Sequence, residues 1–324
     1  MTENNGENDK EELKKFASKL NIGISTAKQL WSAGYKRFEQ IATLTVKELV
    51  EKLGLNKTFS GKIISKARKI CNMGFISADI LYDRRIKIDK ITTGSIQLDN
   101  LLGGGVETGS ITEFYGAFKS GKTQLAHQLA VNVQLSKDVG GLEGNALYID
   151  SEGTFRPERI VSMAIAMHLD PGQALKNIKV ARAYNSEHQI ELVNDAEEII
   201  NNSNIRLLII DSISTHFRAE YIGNESIKSR QQNLNKHLHQ LERIADINNC
   251  AVIITNQVID DPSVIMGDPI KAVGGNIIAH ICQTRVYLRV IRGDQRLARL
   301  IDSPVLPEGE AVFRLTNDGI VDIN

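Results

Sequence analysis

Ser110-Ile111-Thr112-Glu113-Phe114-Tyr115-Gly116-Ala117-Phe118-Lys119-Ser120-Gly121-Lys122-Thr123 decides the fold. Its first six residues are rich in β-branched and aromatic types and predict a strand over Ser110–Tyr115. Its last eight match the pattern G-x-x-x-x-G-K-[ST] in full, and Lys122–Leu135 reads as the helix that should follow. Glycines let successive backbone N–H groups curl round a β-phosphate, and the helix N-terminus adds its partial positive charge. In that reading Gly116, Ala117, Phe118, Lys119, Ser120 and Gly121 form the cradle. Lys122 reaches the β/γ-oxygens, and the Thr123 hydroxyl ligates Mg²⁺. A glycine-rich surface turn with a solvated lysine is the competing reading. The full match, between a strand and a helix, argues against it.

Further along, short β-rich runs alternate with helical stretches. Asn145–Asp150, Ile178–Ala181, Leu207–Asp211 and Ala251–Thr255 read as strands. Pro157–His168, Glu187–Asn201 and Ser226–Asn248 read as helices between them. Such alternation predicts an α/β fold with a mostly parallel central sheet covered on both faces. Strands from Thr284 onward lack intervening helices and should add hairpins at one edge. Upstream, residues 1–16 offer almost nothing apolar to bury and read as a disordered arm. Short amphipathic helices broken by Gly23, Gly34, Gly54 and Gly61 fill residues 17–71, a small all-α domain. Residues 72–90 read as a linker and 91–324 as the core.

Parallel sheets collect ligands at their carboxyl ends. Leu207-Leu208-Ile209-Ile210-Asp211 has the form of a strand whose Asp211 holds a magnesium-bound water. Alone, the pattern is usually a core strand ending at a helix cap. Asp150-Ser151-Glu152 ends another strand, and Glu152 there can polarise a water attacking a γ-phosphate. Asp150 or Ser151 can cap the following turn at the same time. Asn256-Gln257 closes a third strand, where a neutral amide can contact a γ-phosphate without titrating. Gln257 therefore suits a sensor more than a base, and the set reads as ATP hydrolysis.

The 324 residues suggest about two domains. Lys and Arg number 39 and Asp and Glu 39, so the net charge is zero. That excludes a protein held on nucleic acid or acidic lipid by gross positive charge, and it leaves little repulsion against self-association. Yet residues 1–80 carry 14 basic and 9 acidic side chains. A basic N-terminal module thus precedes a mildly acidic body. No apolar run approaches the roughly 18 residues of a membrane span, and the polar N-terminus has no secretory h-region. Cys71, Cys250 and Cys282 are scattered, which fits a reducing cytoplasm rather than a disulfide framework or metal site.

Several segments go beyond a generic phosphate-binding loop. DSEGTFRPER (150–159), ARAYNS (181–186), FRAEY (217–221), Arg230-Gln231-Gln232, TNQV (255–258), Gly274-Gly275-Asn276 and DSPVLP (302–307) occur in this order. Together they resemble the archaeal RadA strand-exchange recombinases of the RecA/RadA family, from about residue 17 to the end. The resemblance implies a RecA-like ATPase core behind a helix–hairpin–helix domain. It implies a filament on single-stranded DNA that pairs with homologous duplex, with closed rings as a further form. ATP and Mg²⁺, with K⁺ as an additional cation, would bind between protomers in the archaeal cytoplasm, at the nucleoid.

Residue by residue, the resemblance puts Arg159 against adenine, and Asp302 and Pro307 over the ATP of the neighbouring protomer. Arg218, Tyr221 and Arg230 would belong to a first DNA loop. Residues 258–275 would form the second, with Gly274 and Gly275 presenting backbone N–H groups and His280 and Gln257 linking it to the γ-phosphate. Phe75 and Ala78 match an F-x-x-A element that adds a strand to the next protomer's sheet edge. The basic run Lys57–Lys69 and the hairpins at Asn21–Ile24 and Gly54-Leu55 would meet DNA phosphates.

The chain departs from the family pattern at Gly223-Asn224-Glu225, where Gly-Arg-Gly is usual, which implies weaker DNA binding. Ala117 stands for a frequent glutamate, Lys119 for a small residue, and Asn21 for a hairpin glycine. Val290-Ile291-Arg292-Gly293 replaces a turn rich in lysine and glycine. A ring-forming helicase or translocase and a non-exchanging mediator paralogue are the alternative functions.

Overall fold

In the computed structural model, which describes residues 3–221, 227–260 and 270–323, the chain divides into two units, Met1–Lys87 and Ile88–Asn324. The first is helical: α1 (Glu3–Leu20), α2 (Ile24–Ser32), α3 (Phe38–Ala42), α4 (Val46–Leu53), α5 (Lys57–Ile70) and α6 (Ala78–Arg85). Local chemistry sets their ends. Thr45 and Glu48 form a reciprocal capping box at the start of α4, with bonds of 2.7 and 3.2 Å. Asn56 caps α5 by accepting from the Thr58 N–H at 2.8 Å.

Where a disordered arm is expected over residues 1–16, the structure has α1. Leu13, Phe16, Ala17 and Leu20 are buried in the unit's core. They stand at i, i+3, i+4 and i+7, a full helical stripe that surrounding charged residues hide from a composition count. Phe16 meets the Trp31 ring edge-on at 5.8 Å and stacks on Phe38 at 5.1 Å. α6 buries none of its residues, and Phe75 ahead of it is fully exposed.

The second unit begins with β1 (Lys90–Ile91), α7 (Ile96–Leu101), β2 (Val106–Glu107), β3 (Ile111–Gly116) and α8 (Lys122–Asn132). Next come β4 (Asn145–Asp150), α9 (Pro157–Ala166), α10 (Pro171–Lys176), β5 (Ile178–Arg182) and α11 (Ser186–Asn202). They are followed by β6 (Ile205–Asp211), α12 (Thr215–Glu220), α13 (Ile227–Asn248) and β7 (Ala251–Asn256). After β8 (Val258–Asp260), β9 (Ile270–Ala272) and α14 (Gly275–Ile281), the chain ends in β10 (Thr284–Val290), β11 (Gln295–Asp302), β12 (Gly309–Thr316) and β13 (Gly319–Asp322).

One nine-stranded sheet has the order β13-β12-β11-β10-β3-β7-β6-β4-β5. From β10 to β5 its neighbours run parallel, and β11 to β13 add antiparallel hairpins at one edge, as the sequence beyond Thr284 predicts. Alternation along each central strand feeds two cores. Leu207 and Ile209 of β6 join α8 and α9 on one face, while Leu208 and Ile210 join α11 and α13 on the other. This doubly covered, mostly parallel sheet is a RecA-like core. Its register sets Asp150 beside Asp211 and Tyr115 beside Asn256 at the carboxyl ends of the strands.

Two stability tests follow from these packings. Asn21 closes α1 at φ +57°, in the left-handed region. Asn21→Val should therefore destabilise the helical unit by about 1–2 kcal/mol, while Asn21→Gly stays near wild type. Trp31, the only tryptophan, reports the urea midpoint of that unit by fluorescence.

His237 is buried in the other unit, where its Nε2 accepts from Gln189 Nε2 at 3.2 Å, and burial pushes its pKa down to about 4. The unfolded chain takes up that proton near pH 6.5 and the native protein only near 4. Stability should thus decline as pH falls through that window, by roughly 3 kcal/mol in total. His237→Leu should flatten this part of the slope in denaturation followed by far-ultraviolet circular dichroism.

Candidate nucleotide site at the strand ends

The loop between β3 and α8 is built on glycines that nothing larger could replace. A Cβ on Gly116 would lie 2.2 Å from the Leu288 carbonyl oxygen and 2.8 Å from Ser120 Oγ. Gly121, at φ +105°, would bring one within 2.8 Å of Leu315 Cδ1. Lys119 holds φ +65° without being glycine, and its ammonium lies 5.6 Å from the Phe118 ring centroid. Lys122 Nζ donates to the carbonyls of Gly116 and Ala117 at 2.8 and 3.0 Å. Burial lowers its pKa below the ordinary lysine value, against the pull of Glu152 and Asp211.

A cavity of about 850 Å³ opens over this loop, lined by Lys122, Thr123, Glu152 and Gln257 among others. That volume suits a nucleotide-sized ligand. The donor set suits a polyphosphate: α8 points its N-terminal N–H groups at the loop, and buried Ser120 Oγ has no hydrogen-bond partner among the described residues.

The strand-end carboxylates flank the loop. Asp211 ends β6; Tyr148 Oη donates to its Oδ2 at 2.6 Å and the Thr255 hydroxyl to its Oδ1. Asp150 accepts from the N–H groups of Glu152, Gly153, Thr154 and Phe155, and so shapes the turn that carries Glu152. Glu152 Oε1 accepts from Thr215 Oγ1 at 2.8 Å, Ser212 Oγ at 2.9 Å and Gln257 Nε2 at 2.9 Å. Burial opposes its charge, but those donors and the Lys122 ammonium prevail and hold its pKa below the usual glutamate value. The pair Glu152 and Gln257, separated by 105 residues, is therefore assembled at the cavity wall.

Of the other residues singled out from sequence, Arg159 donates to Gln124 Oε1 at 2.8 Å and to the carbonyls of Thr316 and Asn317. Gln124 lines the cavity, so Arg159 borders it at one remove. Asp302 and Pro307 are exposed and do not line it. Arg218 is exposed on α12. Tyr221 stacks near Phe217 and accepts from Asn233 Nδ2 at 2.8 Å, and Arg230 lies on α13.

Gly274, at φ +88°, would place a Cβ 2.6 Å from Ile278 Cδ1, and Gly275 holds φ +54°. His280 is exposed on α14, with no hydrogen bond to Gln257 among the described residues. Gly223-Asn224-Glu225 and residues 261–269 lie outside the described residues.

Sequence reasoning missed three contributors. Arg296 of β11 and Leu315 of β12 line the cavity from the C-terminal hairpins, far along the chain and with no local motif. His127 bridges the loop helix to the Glu152 segment. Its Nδ1 bonds the Thr123 carbonyl at 2.6 Å, and its Nε2 accepts from the Arg156 N–H at 3.1 Å. Burial keeps its pKa below the ordinary histidine value, consistent with a neutral ring donating at Nδ1.

Comparison with known proteins covers nearly the whole chain. The Rad51 family model matches residues 84–323. The "DNA repair and recombination protein RadA" of Aeropyrum pernix is 51% identical over 314 residues, 97% of this chain and 98% of its own length. Its namesake in Metallosphaera sedula is 47% identical over 315 residues, 97% of each.

The loop geometry carries its own test. Gly116→Ala should weaken binding of a nucleoside triphosphate roughly tenfold or more in calorimetric titration, because the new methyl group displaces the loop. The exposed Ala117→Gly should not. Equal affinities in both would show that this loop is not where phosphate binds.

Proposed function

This chain belongs to the Rad51 family, and we propose on that premise that it is a DNA-dependent ATPase that forms filaments on single-stranded DNA and catalyses homologous pairing and strand exchange in recombinational repair. The observation that carries this reading is the bond from Gln257 Nε2 to Glu152 Oε1. It joins a hydrolytic carboxylate to the last residue before the proposed second DNA loop. A helicase ring or a mediator paralogue is not favoured, since 97% of the chain aligns with proteins named for recombination.

In this reading Lys122 leaves its loop carbonyls for the β/γ-oxygens of ATP, and Glu152 orients the attacking water and takes its proton. The hydrogen bonds that lower the Glu152 pKa keep it in the basic form needed for that task. Mg²⁺ would be held by the Thr123 hydroxyl and, through water, by Asp211, and supplies charge neutralisation at the phosphates. No group of three or more metal-binding side chains occurs among the described residues. That suits an ion that keeps most of its waters and phosphate ligands. Arg159 would flank adenine beside Gln124. Asp302 and Pro307, exposed and away from their own chain's cavity, would cap the ATP of the next protomer.

Exposed Phe75 and Ala78 supply the tether between copies. β5 is a free edge of the sheet and carries exposed Val180, a fitting acceptor for an added strand from another copy. DNA would be held by Arg218, Tyr221 and Arg230 of the first loop and by Gly274, Gly275 and His280 around the second. The helix–hairpin–helix unit would add phosphate contacts from the lysine-rich α5. No described helix is long and apolar enough to cross a membrane. Work in the archaeal cytoplasm, at the nucleoid, follows from the DNA substrate.

Joint-molecule formation between single-stranded DNA and homologous duplex, with ATP, tests the reading. Wild type should form joint molecules, and Lys122→Ala should fall to background. DNA-stimulated ATP hydrolysis without any pairing would overturn strand exchange and return the helicase or mediator.

A further inference from the structure

Asn256 ends β7 one residue before Gln257 and is fully buried. Its amide is engaged on every side. Nδ2 donates to Glu113 Oε1 on β3 and to the Val273 carbonyl, each at 2.7 Å. Oδ1 accepts from the Ser214 hydroxyl at 2.6 Å and from the Gln257 N–H at 2.9 Å. Glu113 is clamped from its other side by Arg285 Nε at 2.6 Å. The amide thus hangs from a buried ion pair fixed to two strands of the sheet.

Each remaining partner leads to a different part of the site. Ser214 directly precedes α12, whose Thr215 bonds Glu152 and whose last turn carries Arg218. Val273 lies where the chain returns after Gln257. β8 and β9 pair with Val258 opposite Ala272, and the Val273 N–H donates to the Gln257 carbonyl at 2.9 Å. The return limb is therefore gripped twice, by Asn256 through its carbonyl and by Gln257 through its N–H. If Val273 moves, the Asn256 amide must either lose that bond or turn. Turning withdraws the acceptor shared by Gln257 and Ser214. With no solvent to replace a partner, leaving any one of these groups unpaired is costly, so the four bonds should shift together or not at all.

We propose that Asn256 is a positioning residue that couples the return limb of the second loop, and through Ser214 the helix of the first, to Gln257 and Glu152. DNA held by the loops then sets the rate of ATP hydrolysis through this amide. The inference rests on the reading of both loops as DNA-binding. It adds the part that transmits their occupancy.

The test uses the full chain at saturating ATP, with and without an oligothymidine single strand, in wild type, Asn256→Ser and Ser214→Ala. Serine at 256 cannot span Glu113 and Val273 together. The ratio of DNA-stimulated to unstimulated turnover should fall roughly tenfold in Asn256→Ser, and less in Ser214→Ala. A merely structural role would lower both rates in proportion. An unchanged ratio in the variants, with wild type still stimulated, overturns the coupling and leaves the DNA-dependent ATPase intact. A wild type that single strands do not stimulate removes both. Should Asn256→Ser fail to fold by thermal melting, the ratio in Ser214→Ala decides alone.

Discussion

Backbone hydrogen bonding among β3, β7, β6 and β4 fixes where every charged group of the nucleotide site can stand. These four strands are buried almost throughout, so their ladders have no water to exchange with and their register cannot slip without moving whole faces of the core. Because the register is parallel, Gly116, Asn256, Asp211 and Asp150 all emerge at one rim. The glycine loop, the two carboxylate turns and the amide pair are neighbours for that reason, although the chain separates them by up to about 140 residues.

Crowding carboxylates at a buried rim costs solvation, and the structure offsets it with donors rather than with cations alone. Asp150 is satisfied by four backbone N–H groups. Asp211 is satisfied by two hydroxyls, and Glu152 by two hydroxyls and an amide. Hydrogen bonds to charged groups are worth about 1.5–3 kcal/mol each, and at Glu152 they outweigh burial and hold its pKa below the usual glutamate value. Glu113, deeper in the sheet, has the Arg285 partner instead. Well-oriented carboxylates around a lysine on a glycine loop are what phosphoryl chemistry needs. Here their orientation comes mostly from neutral donors, with Arg182 Nη1 adding one charged contact to Asp150 Oδ1 at 3.3 Å.

Much of this was legible in order along the chain. The eight-residue loop motif, the apolar run ending at Asp211 and the turn after Asp150 are local patterns, because a phosphate cradle and a buried parallel strand each impose residue types at short spacing. The structure places them on β3, β6 and β4 at the same rim. α1 was legible in principle through the spacing of Leu13, Phe16, Ala17 and Leu20, but composition alone concealed it. Arg296, Leu315 and His127 had no local signature. The first two reach the cavity only because β10 pairs with β3 and the C-terminal hairpins extend the sheet from it. His127 acquires its role only where α8 meets the Glu152 segment.

By itself the sequence determined the class of core, the phosphate loop and the residue types at the strand ends, since each is dictated by interactions within a few residues of chain. Only the tertiary structure decided which of Asn256 and Gln257 faces Glu152. It also decided that the other amide is consumed in a buried junction, and that Arg159 is tied to the β12–β13 turn. Those outcomes depend on strand order and on which buried donors must find acceptors. Satisfying a buried polar group is a property of the whole packed neighbourhood, and no stretch of sequence contains it.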